Sequence, residues 1–332
     1  MSSVELAVRG HALAPRINWR WRQTALAVLA WVAVALLIIY WPNATRQWPM
    51  TQGLANLCLA VALAITLLSI AGYRFARVAK PLRRATPWLI ALPLLLALWE
   101  LLTAKLALLP LPFFAPPQAL LAVYVGDWPR LAQSLWHSAL LLASGVVLGA
   151  VTGFIAGVAL GWSSSIGYWL HPLLRILGPV PSTALLPLCF FIFPTSWSAS
   201  VFLIALATWF PVTVLTWSGV ASVDQAYYDV ARTMGAKPRF LIVQVAIPAA
   251  LPHVFVGLFM GLGASFSTLV VAEMMGVKAG IGWYLQWAQG WAAYANMYAA
   301  LLLMALACSG LISALFMLRD RLLAWQQGAM KW

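Results

Sequence analysis

Acidic residues are scarce in this chain of 332 residues, which has 7 Asp and Glu against 20 Lys and Arg and is only 8% charged. Soluble domains are about one-quarter charged, so this composition excludes an ordinary soluble protein. Cysteine is also scarce, since Cys58, Cys189 and Cys308 stand far apart without metal-ligand or redox spacing. The 4 histidines are scattered along the chain. The sequence therefore predicts no metal site.

The sequence patterns of common catalytic sites are absent as well. There is no Gly-x-x-x-x-Gly-Lys-Ser/Thr phosphate-binding loop, so the chain itself is not expected to bind ATP. Paired carboxylates, a Cys–His arrangement and a nucleophilic-serine motif are also missing. We therefore predict no catalytic residue, no enzyme activity and no cofactor in this chain. The functions that remain possible are transport across a membrane and a non-transporting role in a membrane.

Hydrophobic residues, by contrast, make up 64% of the chain. A helix needs about 20 apolar residues to cross a bilayer, and stretches of that kind recur along the whole sequence. We therefore predict an all-α, polytopic membrane protein with about eight transmembrane helices. The predicted spans are 22–41, 53–73, 86–109, 136–161, 173–194, 198–220, 249–275 and 296–318.

The basic residues are distributed unevenly between the predicted connections. Arg46, Arg130 and Lys278 fall on one side of the membrane, and Lys105, near a span end, is expected to extend its ammonium group towards that side. All other Lys and Arg residues fall on the side of the two termini. Because cytoplasmic loops carry the excess of basic residues, we predict that both termini are cytoplasmic. The net charge of +13 then reflects topology and attraction to anionic membrane lipid, and we predict no nucleic-acid binding.

A polar stretch at 222–252 interrupts the apolar C-terminal part of the chain and predicts two helices separated by a glycine. Ser222 and Gln225 have the spacing of a capping box, which predicts the start of the first helix. Gly235 is placed to end that helix in a left-handed conformation, and Pro238 suits the first turn of the next helix. This stretch is predicted to be a cytoplasmic loop.

One face of the first helix in this loop is apolar or small. Its residues recur at steps of three and four and are Ala226, Val230, Ala231 and Met234. Asp229 and Arg232 lie on its flanks. Such a face can enter a groove on another protein, although the periodicity alone also suits an ordinary amphipathic loop between two spans.

The residue spacing in this loop resembles the EAA loop of bacterial ABC importer permeases. The family pattern is Glu-Ala-Ala, three residues, Gly, nine residues and then Ile-x-Leu-Pro; here Asp229 to Ala231 precede Gly235, and 245–248 read Val-Ala-Ile-Pro. In that family, the loop carries the coupling helix that docks on the ATPase subunit. The resemblance implies this role for Tyr228, Asp229, Val230, Ala231, Arg232, Met234, Gly235, Ala236 and Pro248.

Further segments resemble the six-span core of permeases in the nitrate, sulfonate, taurine and bicarbonate import class. They are the pair Trp99 and Glu100, the proline-rich 108–120, the helix-breaking 174–188, and the segments 270–276 and 280–285. The resemblance implies a permease core at 86–332. Residues 1–85 then form an N-terminal extension with two extra spans and a basic cytoplasmic connection, for which the family offers no counterpart.

The resemblance also implies partners. The chain is expected to be the membrane subunit of an ATP-driven importer in the bacterial inner membrane, where two copies form the translocation pathway. Two ATPase subunits would bind ATP and Mg, and a periplasmic or lipid-anchored binding protein would deliver the substrate. That substrate is expected to be a small anion or organosulfonate of the nitrate, sulfonate, taurine or bicarbonate type.

Glu100 and Glu273 are the only acidic residues within the predicted spans. A carboxylate at this depth faces the bundle interior, a partner or water, because its exposure to lipid is costly. Each is a candidate for lining the pathway or for a structural hydrogen bond. The alternative function is an ion-coupled secondary transporter that uses both carboxylates and works without an ATPase.

Glycines recur at every fourth position of the span predicted at 136–161. They are Gly145, Gly149, Gly153, Gly157 and Gly161. Stripes of small residues allow helices to approach closely in lipid, where the hydrophobic effect does not drive their association. We predict that this stripe packs against another helix of the same chain, with a dimer or gate surface as the alternative.

Overall fold

The computed structural model describes residues 16–44, 47–74 and 76–325, which are mainly helical and contain no strand. The all-α prediction is therefore confirmed. The two ends of the chain and residues 45, 46 and 75 lie outside the described residues, so Arg46 is not described. The helices are α1 (Arg16–Tyr40), α2 (Thr51–Arg74), α3 (Ala76–Glu100), α4 (Pro117–Gly126), α5 (Trp128–Trp162), α6 (Ser164–Leu177), α7 (Leu186–Ile192), α8 (Ser196–Ala221), α9 (Gln225–Thr233), α10 (Pro238–Phe240), α11 (Ile247–Met275), α12 (Ile281–Gly290) and α13 (Tyr294–Leu322).

Seven helical stretches of the described chain are long and apolar enough to cross a membrane. They correspond to seven of the predicted spans, although the helices at 128–162 and 238–275 begin earlier than predicted. The span predicted at 173–194 differs, because α6 and the helical segment Ser182–Ile192 are bent by 87° at a short break. Two prolines, Pro179 and Pro181, lie in this break, and proline cannot donate the backbone hydrogen bond that a continuous helix requires. Counted as one broken span, this pair completes the predicted eight.

The chain divides into two compact units. The first contains the described residues up to Asp127 together with Ala292–Ala299, and the second contains Trp128–Trp291 and the residues from Ala300 onward. The boundary predicted after residue 85 rests on likeness to other permeases and not on compactness, and it stays a prediction.

In the first unit, α1 packs against α2 and α3. Its core is apolar and includes Val34, Ile38, Leu54 and Cys58, with Leu96 of α3 packed against them. The short helix α4 adds a second apolar cluster, in which Ala119 and Leu120 meet Ala299.

In the second unit, α8 lies between α5 and α11 and packs against both. All five glycines of the α5 stripe face α8: a Cβ atom at Gly149 would lie 2.3 Å from the carbonyl oxygen of Ala205, and one at Gly157 would lie 2.5 Å from Cβ of Thr216. On the other side, a Cβ atom at Gly261 of α11 would lie 3.1 Å from the carbonyl oxygen of Thr208. The backbones of the three helices therefore approach each other closely at these glycines.

Candidate functional site

The polar loop 222–252 folds as α9, a glycine break and α10, which continues through a π-helical turn at Leu241–Ala246 into α11. The predicted capping box at its start was wrong. Asp224 is the N-cap of α9, and its carboxylate accepts a hydrogen bond from the N–H of Ala226 at 2.9 Å. The hydroxyl of Ser222 instead donates to the carbonyl of Gly219 in the last turn of α8. Ser222 is therefore already engaged in ending the preceding helix.

Gly235 ends α9 in the predicted left-handed conformation, with φ +84°. The N–H of Ala236 donates to the carbonyl of Ala231 at 3.0 Å, and the N–H of Gly235 donates to that of Arg232 at 2.9 Å. This is the hydrogen-bond pattern of a Schellman motif, which fixes the direction of the chain after a helix. A Cβ atom at Gly235 would have no neighbour within 4 Å. Glycine is therefore favoured here by the backbone conformation alone and not by a lack of space.

The inner face of α9 is held against the ends of three long helices. Tyr228 is only 6% exposed and packs with Val220 of α8 and Ala250 of α11. Its ring meets that of Trp162 at the end of α5 edge-on, with 5.9 Å between the ring centroids. Burial raises the pKa of the Tyr228 phenol. Ala231 and Ala236 are half-buried in the same apolar cluster.

The outer face of α9 is exposed although it is apolar. Its large side chains are Tyr227, Val230 and Met234, of which Val230 is 62% and Met234 is 84% exposed. Beside them, Arg232 Nη1 lies 3.2 Å from Asp229 Oδ1 in a surface ion pair. We call Tyr227, Val230 and Met234 the outer loop face. Large apolar side chains clustered on an exposed polar segment are typical of a surface that binds another protein.

Pro248 stands in the first turn of α11, directly after the π-helical turn Leu241–Ala246. A proline in a continuing helix donates no backbone hydrogen bond and crowds the carbonyl four residues earlier, here that of Gln244. In the wider turn, the N–H of Ile247 bonds to the carbonyl of Ile242, five residues back. The chain thus passes from the loop into the membrane helix without a break.

Both oxygens of the Glu273 carboxylate accept hydrogen bonds from groups of the second unit. Ser138 of α5 donates its hydroxyl to Oε1 at 2.7 Å, and the N–H of Gly282 donates to Oε2 at 2.8 Å. The Ser138 oxygen in turn accepts from the N–H of Ile281 at 2.8 Å. Glu273 thus joins α11, α5 and the first turn of α12. Gly280, with φ +106°, passes so close to the carboxylate that a Cβ atom there would lie 2.2 Å from Oε1.

Glu100 is fully buried in the first unit, and Glu273 belongs to the second. Glu100 Oε1 accepts a hydrogen bond from Gln118 Nε2 at 3.2 Å and lies 3.6 Å from Lys105 Nζ. The expectation that Lys105 extends to an aqueous surface was wrong, because this residue is only 4% exposed. In the part of the chain that the structure describes, no three His, Cys, Asp or Glu residues are grouped so that they could hold a metal ion.

The break between α6 and α7 opens onto a cavity of about 420 Å³ in the second unit. Its polar side chains carry only hydroxyl groups, and none of the described residues that line it is charged. Ser182 and Thr268 face each other there, with 2.8 Å between their hydroxyl oxygens. Sequence reasoning did not assign these residues to a site, although the two prolines of the break were a visible signal for an interrupted span.

Comparison with known proteins places the chain in one family. The family of binding-protein-dependent transport system inner membrane components matches residues 145–330. The chain is 30% identical over 255 residues to the putative aliphatic sulfonates transport permease protein SsuC of Bacillus subtilis, which covers 74% of this chain and 91% of that protein.

Two further relatives carry other substrate names. The taurine transport system permease protein TauC of Escherichia coli is 32% identical over 254 residues, covering 73% of this chain and 90% of TauC. The nitrate import permease protein NrtB of Synechococcus elongatus is 28% identical over 251 residues, covering 72% and 87% of the two chains. The chain therefore belongs to the binding-protein-dependent inner membrane components, the multi-pass permease subunits of ABC importers.

Proposed function

We propose that this permease works as a homodimer whose two copies each bind one ATPase subunit through the outer loop face of α9. The observation that carries the proposal is the contrast between the two faces of this short helix. Its inner face is locked onto the membrane helices by Tyr228, whereas Tyr227, Val230 and Met234 point outward without apolar cover. A separate binding protein would deliver the substrate, as the name of the family describes.

The packing supports a mechanism for coupling. When the ATPase dimer closes around ATP and Mg, it displaces α9, and the cluster around Tyr228 transmits this movement to the ends of α5, α8 and α11. Because these three helices meet at glycines, they move together and not one by one. The result is a two-state rocking of the helices, driven by the preference of ATP for the closed ATPase dimer. The loop and both termini would be cytoplasmic.

The cavity at the break between α6 and α7 is the proposed place of substrate passage. Irregular backbone at membrane depth is tolerated only where protein covers it or where it lines a water-filled space. Residues 178–181 are exposed in the single chain, so the second copy and the pathway between the copies would cover them. Hydroxyl groups without a fixed charge suit transient contacts with a small anion or organosulfonate. Nitrate, sulfonate, taurine and bicarbonate types are the candidates, of which the first three match the names of the relatives.

The experiment that tests the coupling surface is affinity purification of the tagged chain from native membranes in mild detergent, with subunit masses and ATPase activity as readouts. Wild type should retain an ATPase. Gly235→Val should lose it, because a β-branched residue is strained by more than about 1 kcal/mol at positive φ. Gly235→Asn is the matched control, since asparagine tolerates this conformation. Ala231→Arg should also uncouple transport, because it disrupts the inner face.

A second pair of variants tests the outer face without touching the backbone. Met234→Arg places a charge on a side chain that is 84% exposed, so this chain should insert and fold normally while the ATPase is lost. Met234→Leu keeps the apolar surface and should retain the ATPase. A chain that purifies alone and transports in liposomes without ATP, unaffected by the Gly235 and Met234 substitutions, would contradict the proposal.

A further inference from the structure

The end of α3 departs from regular helix in a way that turns one lysine inward. Leu101–Lys105 form a π-helical turn, and Ala107 two residues later has φ +49°, which is unfavourable for a residue with a side chain. Both distortions lie beside Lys105, whose side chain is buried in the first unit. Distortions of this kind persist only where the surrounding structure holds them.

The ammonium group of Lys105 caps the end of α1. It donates to the carbonyl of Ile38 at 3.1 Å, to the carbonyl of Trp41, and to Asn43 Oδ1 at 2.9 Å. These three bonds use all three hydrogens of the ammonium group. The last carbonyls of a helix have no hydrogen-bond partner within it and carry partial negative charge. A cation placed there donates hydrogen bonds to these carbonyls and balances their charge.

The charge of this lysine is balanced within the same unit. Glu100, one turn earlier in α3, lies 3.6 Å from the ammonium group, and both side chains are fully buried. Two further contacts join the same elements: the N–H of Ala44 donates to the carbonyl of Ala104 at 2.9 Å, and Trp31 Nε1 donates to the carbonyl of Leu89 at 3.0 Å. α3 and the turn that follows it are thus joined to α1 and the residues after it by several hydrogen bonds.

We propose that Lys105 is a buried clamp that holds the N-terminal helix pair α1–α2 on α3. The partner that this clamp holds is the helix pair α1–α2 of the same chain. About a quarter of the chain lies outside the match to SsuC, which covers 74% of it. Because of this clamp, the helix pair α1–α2 does not move separately from α3 within the first unit. The proposal is independent of the proposed function, because it requires neither an ATPase nor a substrate.

The test uses the full chain with a specific protease site inserted between α2 and α3 and an affinity tag at the C-terminus. The intact protein is purified in mild detergent and then cleaved, and the N-terminal fragment that remains bound to the tagged part is quantified. Wild type should retain the fragment. Lys105→Met should lower the equilibrium constant between retained and released fragment by roughly tenfold, the scale of one charge-assisted hydrogen bond. Lys278→Met is the matched control, because Lys278 is exposed and belongs to the second unit.

A lone Glu100 left in the membrane can prevent Lys105→Met from folding at all, so a charge-balanced variant is needed. Glu100→Gln combined with Lys105→Met removes both charges and leaves the carbonyls of Ile38 and Trp41 without their donor. This double variant should elute as a single species by size exclusion before cleavage and lose the fragment afterwards. Equal retention of the fragment by wild type and the double variant would overturn the proposal, as would loss of the fragment from cleaved wild type.

Discussion

The two compact units of this chain join their helices by different means. In the second unit, α5, α8 and α11 meet at glycines, and the backbones of α5 and α8 approach closely from Gly145 to Gly161. In the first unit, neither α1 nor α3 contains a glycine, and side chains make the connection through a buried lysine and an indole. In lipid, helices associate through close packing and hydrogen bonds, because the hydrophobic effect does not distinguish a neighbouring helix from a lipid tail. Each unit relies mainly on one of these two means.

This difference bears on the proposed functions of the two units. Close backbone contact leaves little room for independent sliding, which suits helices that must move as a block when the loop is displaced. A capped helix end, by contrast, fixes one element onto another at one point without requiring small residues along the helix. The comparison predicts that the second unit is sensitive to added volume, whereas the first is sensitive to the loss of hydrogen bonds.

The largest effect is expected for Gly149→Ala. Its Cβ atom would lie 2.3 Å from the carbonyl oxygen of Ala205, and a backbone atom cannot move aside as the end of a flexible side chain can. We expect a loss of about 3 kcal/mol in unfolding free energy, at the upper end of the usual cost of overpacking. Chemical unfolding in mixed micelles measures this loss. Gly310→Ala is the control, because a Cβ atom there has no neighbour within 4 Å, and equal stabilities of the two variants would contradict close packing of α5 on α8.

A smaller effect is expected for Glu273→Leu, which tests a hydrogen-bonded junction within the glycine-packed unit. The change removes the acceptor of the Ser138 hydroxyl and of the Gly282 N–H, leaving two buried donors unpaired. We expect a loss of about 2 kcal/mol in the same unfolding measurement. Glu273→Gln keeps one acceptor and should lose less. A variant that stays fully stable yet no longer transports would instead assign this carboxylate to the pathway.

Much of the second unit could be predicted from the sequence because its signals are local. Apolar runs predicted the spans, and the fourfold glycine spacing predicted a packing face on α5. The left-handed conformation of Gly235 followed from its place after a short amphipathic helix. The start of that helix was missed, since Ser222 and Asp224 are both suitable caps and the sequence does not show that α8 uses the Ser222 hydroxyl. The bend angle at the break near Pro181 could not be predicted either, because a proline predicts that a helix is interrupted but not the direction in which the chain continues.

The clamp in the first unit could not be predicted for a different reason. A lysine near the end of an apolar span is usually one that extends to the aqueous surface, and nothing in the sequence around Lys105 shows otherwise. Its burial depends on carbonyls that lie more than sixty residues earlier in the chain. It also depends on a π-helical turn, for which the sequence LLTAK has no evident signature. Backbone carbonyls occur at every residue, so distant carbonyls that accept hydrogen bonds from Lys105 cannot be recognised from the amino-acid sequence.

The smallest effect is expected for Trp31→Phe, which isolates a single neutral hydrogen bond in the first unit. Trp31 Nε1 donates to the carbonyl of Leu89 at 3.0 Å, and phenylalanine keeps an aromatic ring at this position while removing the donor. We expect a loss of about 1 kcal/mol in unfolding free energy, clearly less than for the charge-balanced removal of Lys105 and Glu100. Combining Trp31→Phe with that removal should give additive losses, because the indole and the ammonium group share no hydrogen-bond partner. Strong non-additivity would show instead that the indole and the lysine act as one coupled contact, and α1 would then be held by a network and not by the clamp alone.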